Sequence, residues 1–143
     1  MKQKKRNMKA KVKYIPCDIY KRGIYVLIGN GDELLEWAKY VFQGEKYEGL
    51  IEAIEKAKDD GYASTFYGQG EAIIRLPEFP NNPKDIAVAV HEIYHTANYI
   101  LWYCNVEYNE DNGSNEAWAY LIEHLTRNIL EKEGYEKIKY KEG

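Results

Sequence analysis

Between Ile86 and Cys104 an apolar residue recurs every three or four positions: Ile86, Val90, Ile93, Ala97, Ile100 or Leu101, and Cys104. That repeat is one face of an α-helix, and it predicts a single helix over residues 84–104. Such a helix is about 30 Å long, roughly the width of a small domain, so the rest of the 143-residue chain has to be laid against it. Residues 77–83 hold three of the chain's four prolines. Proline donates nothing to a ladder, so this stretch is a loop leading into the helix.

The helix carries His91-Glu92-Ile93-Tyr94-His95. At about 100° and 1.5 Å per residue, His91 and His95 lie roughly 40° apart on one face and about 6 Å apart along the axis. Both imidazoles then reach one cation, and zinc is the metal that two such histidines suit. Glu92 falls to the far side of His95, close to the metal but off the ligand direction, where a carboxylate can hold a water as general base. A catalytic zinc site wants a third protein ligand and an open fourth position. Glu116 is the candidate, and Glu123 lies further along the same helix. Glu116 opens a second helix whose stripe is Trp118, Leu121, Ile122, Leu125 and Ile129, with Ser114 or Asn115 as its cap. Residues 105–114 are long enough to turn the chain so that the two helices pack antiparallel.

The remaining elements follow from shorter signals. Residues 12–17 and 23–28 are β-branched or aromatic runs that read as a hairpin. A helix capped by Asp32 runs to about residue 43, and another spans residues 47–58. Residues 63–67 and 71–76 read as strands around the Gly68-Gln69-Gly70 turn, which is too small for a phosphate loop. The fold class is α+β: a short mixed or antiparallel sheet packed on a long metal-binding helix, followed by a second helix. No repeat or Pro/Gly-rich boundary divides the chain, so one domain over residues 12–134 is expected, between a basic arm (1–11) and a tail (135–143).

Apolar residues make up 45% and aromatics 14%, with 14 tyrosines, which excludes a disordered chain and implies a packed core. Charge is uneven. Lys2, Lys4, Lys5, Arg6, Lys9, Lys11 and Lys13 precede the first acid, Asp18, so the body is more acidic than the net charge of -3 suggests. A basic arm can touch nucleic acid or an anionic surface. This one lacks aromatic interleaving and a recognition motif, so it reads as a solvated terminus. No secretory signal pattern or membrane span is visible, and two cysteines do not make a disulfide scaffold. The cytoplasm is the expected compartment.

His91-Glu92-x-x-His95 followed by Glu116 on a later helix resembles the gluzincin zinc metallopeptidases, in a compact single-domain form. The likeness covers roughly residues 71–127. The run from Asn115 to Leu121 also resembles, more loosely, short phage or prophage metallopeptidase-like proteins. The resemblance implies a zincin-like domain that hydrolyses peptide bonds of a protein or peptide substrate, with zinc on His91, His95 and Glu116 and Glu92 activating the metal's water. It also implies that a strand before the metal helix, here Glu71, Ala72, Ile73 and Ile74, aligns the substrate by edge pairing. An aspartate common in that family four residues after the ligand glutamate is replaced by Tyr120. Support for the histidines must come from elsewhere, with Asn98 as a candidate. Tyr120 and His124 are candidates for stabilising the tetrahedral intermediate.

Each residue also has a plainer reading. Glu116 shares its helix face with Glu123 and Arg127, as on a solvated surface. The two histidines can simply hydrogen-bond, His124 fits a surface histidine, Cys104 a small buried hydrophobe, and Trp102 and Trp118 a core between helices, although Trp102 lies near the metal face, where it can line a pocket. The competing functional class is a non-catalytic protein that keeps the metallopeptidase fold, with structural zinc and a partner docked on the basic arm. Glu92 argues against it, because a structural zinc needs no carboxylate beside its ligands.

Overall fold

In the computed structural model, which describes residues 9–108 and 115–138, alternating side chains build the first hairpin. Strand β1 (Lys11–Cys17) turns Lys13, Ile15 and Cys17 inward and pairs antiparallel with β2 (Arg22–Ile28). Helix α1 (Gly31–Val41) begins with a capping box on Asn30 rather than at Asp32. The Asn30 side chain accepts from the Glu33 amide at 2.8 Å, and Glu33 Oε1 accepts from the Asn30 amide at 3.1 Å. Such a cap stabilises a helix by about 1 kcal/mol. The other Glu33 oxygen accepts from the Ala10 amide at 2.8 Å and so anchors the start of β1.

Helix α2 (Glu48–Ala57) returns along α1, and the contact needs glycine: a Cβ on Gly31 would lie 1.8 Å from the Lys58 carbonyl oxygen. Strands β3 (Ser64–Gly68) and β4 (Glu71–Leu76) form the second hairpin. Its two turn residues, Gln69 and Gly70, both have positive φ, the type I′ geometry that matches strand twist. Strand β4 also pairs in parallel with β2, with α1 and α2 as the crossover that parallel strands require.

Helix α3 (Pro83–Tyr103) starts one residue before the expected range, capped by Asn82 with proline in its first turn, where no amide partner is needed. Helix α4 (Asn115–Leu130) follows. Its end packs near the start of α3 through Phe79, which contacts both Tyr135 and Lys132. Its start meets the later turns of α3, so the two helices are antiparallel as expected. Ser114, one of the two expected caps, lies outside the described residues.

Residues 135–138 are not a tail. Strand β5 (Glu136–Lys137) pairs antiparallel with β1, and the Ile138 amide donates to Ala10. The sheet is therefore five-stranded and mixed, in the order β3-β4-β2-β1-β5. Ile24, Val26, Ala72 and Ile74 pack beneath α3 and α4, while Leu27 and Ile73 pack against α1 and α2 on the other face. The result is a three-layer mixed α and β domain.

Two charges lie inside it. Lys13, the last of the basic residues that precede Asp18, is buried, and its Nζ donates to the carbonyls of Asn128 (2.6 Å) and Glu131 (3.0 Å). It closes the C-terminal end of α4, where unpaired carbonyls favour a cation. Arg75 on β4 is 2% exposed and donates to the carbonyls of Gly29 and Asp60 at 3.1 and 3.0 Å, and to that of Tyr62. Burial lowers its pKa, with Asp60 opposing. No helix among the described residues is long and apolar enough to cross a membrane.

Candidate functional site

The buried stripe of α3 is rotated slightly from the expected one. Ala89, Ile93, Ala97, Ile100 and Leu101 face the sheet, whereas Val90 is 37% exposed. That phase turns His91 and His95 fully outward and Glu92 toward β3. The two histidine rings meet edge to face, with Nε2 of each 3.2 Å from the other. Two nitrogens bound to one tetrahedral zinc at about 2.0–2.1 Å would be about 3.3 Å apart. The pair fits a shared cation, and without one it fits a single N–H donated from ring to ring.

Glu92 is 7% exposed, and its Oε1 accepts from Thr65 Oγ1 at 2.9 Å. Its backbone carbonyl accepts from Thr96 Oγ1 at 2.9 Å. Thr65 belongs to β3, so the residue that orients the carboxylate comes from a strand 27 positions earlier in the chain. Nothing in the sequence singles out Thr65 except its place on an inward-facing strand position, and it was missed.

The substrate-aligning strand is a correction. Strand β4, with Glu71, Ala72, Ile73 and Ile74, is hydrogen-bonded to β3 on one side and β2 on the other. It has no free edge to offer. The strand that reaches Glu92 is β3, which with β5 is one of the two edge strands of the sheet among the described residues. Glu71 is partly buried, which raises its pKa, with Arg22 and Lys46 opposing.

The candidates on α4 do not gather at the histidines. Glu116, Tyr120 and Glu123 are exposed on the face opposite Leu121, Leu125 and Ile129, and Glu123 pairs with Arg127 at 2.8 Å. Among the described residues no group of three or more His, Cys, Asp or Glu side chains is arranged to hold a metal ion. Asn98 is committed elsewhere: its Oδ1 accepts from Trp118 Nε1 at 2.6 Å. This bond joins the start of α4 to the histidine-bearing side of α3, one turn beyond His95.

His124 lies over β1. Its Nε2 donates to the Pro16 carbonyl at 2.8 Å, since a carbonyl only accepts. Because β1 is three strands from β3, about 14 Å across the sheet, His124 is not part of the site. Trp102, read either as core or as lining a pocket near the metal face, is 71% exposed and so is not core. Grooves that border α1, one against β5 at Val12 and Ile138 and one against α2 at Phe42 and Ile51, are not lined by these site residues.

No protein-family model matches the chain, and no curated protein or solved structure matches it.

Proposed function

We propose that this chain is a compact zincin-like, gluzincin-type hydrolase of peptide bonds that uses zinc. The observation that carries the reading is the convergence of His91 and His95 at 3.2 Å on the outer face of α3, with the carboxylate of the intervening Glu92 hydrogen-bonded to Thr65 of an edge strand. His91 and His95 would hold the metal; Glu116, which is not gathered with them here, would complete the set only by turning toward the ion from the helix tied to α3 by Asn98 and Trp118. Zinc bound there supplies Lewis acidity, bringing a water toward a pKa of ~7 and polarising a carbonyl.

The protein's own groups do the rest. Glu92 takes a proton from the attacking water and delivers it to the leaving amine. Thr65 donates to that carboxylate and fixes its direction. The free edge of β3 gives an extended substrate a backbone ladder to join. Residues 1–8 of the basic arm lie outside the described residues, and no role in the reaction is assigned to them.

Purified protein should hold about one zinc per chain, lost in His91→Ala or His95→Ala, and should cleave a quenched fluorogenic peptide library. Glu92→Gln should keep the metal and lose cleavage. Absence of binding at micromolar zinc would end this reading. The non-catalytic alternative is favoured by one observation, the exposed position of Glu116. It requires wild type and Glu92→Gln to be equally inert while both bind zinc.

A further inference from the structure

Four aromatic side chains line the flank of α3 beyond Glu92. Tyr67 of β3 stacks on Tyr99 with ring centroids 4.4 Å apart, and Trp102 and Tyr103 lie 6.2 and 5.8 Å from Tyr99. Tyr99 is fixed in place, because its hydroxyl accepts from the Gly70 amide in the β3–β4 turn at 2.8 Å. Tyr67, Trp102 and Tyr103 are nevertheless 50%, 71% and 41% exposed. Other large side chains are exposed too, Ile19 and Tyr62 among them; this group differs in that its rings stack on one another around a tyrosine held by a backbone amide.

Its position relative to the site gives it a use. Thr65 and Tyr67 are on the same face of β3, and each meets α3: Thr65 at Glu92, and Tyr67 at Tyr99 two turns later. Seven residues of helix span about 10 Å, which an extended peptide covers in about three residues. A peptide paired with the free edge of β3 and placed with its reacting carbonyl at the histidines therefore runs past this aromatic surface. Antiparallel pairing is the more stable arrangement. Because β3 runs from Thr65 toward Tyr67, an antiparallel partner brings its N-terminal residues to the aromatic end.

We infer that Tyr67, Tyr99 and Trp102 form a subsite for an aromatic or large aliphatic side chain two to three residues before the cleaved bond. The inference deepens the proposed function and rests on it for the location of that bond. A cationic side chain is disfavoured, because the Arg22 guanidinium already covers Tyr103 at 4.4 Å from the ring centroid.

The test separates binding from hydrolysis. Capped alanine-serine peptides of about eight residues, carrying Phe, Leu, Lys, Glu or Ala at one position, are titrated into metal-free full-length protein and followed by tryptophan emission and calorimetry. Phe and Leu peptides should bind about tenfold or more tighter than the Ala, Lys and Glu peptides, a preference of the size a filled apolar pocket gives. Trp102→Ala and Tyr67→Ala should abolish that preference, bringing the Phe and Leu peptides to the affinity of the Ala peptide for the same variant. Both side chains are exposed, so the fold should be kept, and circular dichroism checks that it is. Equal binding of all peptides, or variants that weaken all alike, overturns the subsite. If the preference is present but zinc-loaded protein cleaves none of the peptides, the subsite stands and the hydrolase reading fails. If cleavage occurs, the preferred residue must lie N-terminal to the cut; a preference on the other side overturns the assignment.

Discussion

Thr65 Oγ1 donates to Glu92 Oε1 across 2.9 Å, joining an edge strand of the sheet to the carboxylate between the two histidines in sequence. The hydroxyl donates its one proton to that oxygen and so fixes the direction of the carboxylate. A substrate strand added to β3 would thus be laid on the same element that orients the base.

Thr65→Ala should leave zinc content unchanged and lower kcat about 10- to 100-fold, the equivalent of the 1.5–3 kcal/mol typical of a hydrogen bond to a charged group. Thr65→Ser, which keeps the hydroxyl, should recover most of the rate. Equal losses in both variants would mean that the methyl group's packing, not the hydrogen bond, is what matters.

The start of α4 offers a second separation of roles. Asn98→Ala removes the acceptor for Trp118 Nε1 and should cost about 1 kcal/mol in urea unfolding. It should also loosen zinc binding by freeing the helix that bears Glu116. Glu116→Ala removes an exposed side chain, so it should weaken zinc binding with stability unchanged within about 0.5 kcal/mol. Zinc affinity unaffected by Glu116→Ala would remove that residue from the ligand set.

How much of this was readable in advance depended on how local the signal is. The helix over residues 83–103 and the two hairpins were legible because apolar periodicity and turn residues act over a few positions. The histidine pair was legible for the same reason, since i and i+4 share a helix face whatever the tertiary structure. What escaped was non-local. The interior place of β4 depends on a parallel pairing with β2 across two intervening helices. Strand β5 is two exposed charged residues with no pattern, recognisable only through its partner β1. The burial of Lys13 and Arg75 has no local signal, because backbone carbonyls from distant segments satisfy these charges inside the fold. Trp102 had two readings, core or the metal face, and only its 71% exposure in the fold decides against the core.

Arg75 binds three carbonyls from the segments that flank β3 and α1, at Gly29, Asp60 and Tyr62. Replacement by Met keeps much of the stem volume but leaves these carbonyls without their donor, at about 1–3 kcal/mol for each one that water does not reach. Arg75→Met should therefore destabilise the protein by about 2–4 kcal/mol in urea unfolding. Arg75→Lys should recover little, because a single ammonium does not reproduce the planar fork. A variant as stable as wild type would show that water replaces the guanidinium.

Cys17 and Cys104 should differ sharply in reactivity. Cys17 is 3% exposed on the inner face of β1, and burial pushes its thiol from 9.0 to about 11, with the charge of Asp18 adding to the rise. Cys104, at the end of α3, is only partly buried. A thiol reagent at pH 8 should modify Cys104 first and reach Cys17 only when the chain unfolds, since the thiolate is the reactive form and both burial and protonation oppose it. The shift also fixes a direction for stability. A thiol whose pKa is raised in the fold contributes stability that is complete below its unfolded value of 9.0 and is lost as the pH rises through about 11. Urea midpoints measured across that window should fall, and Cys17→Ala should make the fall shallower while lowering the midpoint at pH 7. A midpoint that is flat from pH 9 to 11 in wild type, or equal slopes in the two proteins, would show that Cys17 ionises as freely in the fold as in the unfolded chain.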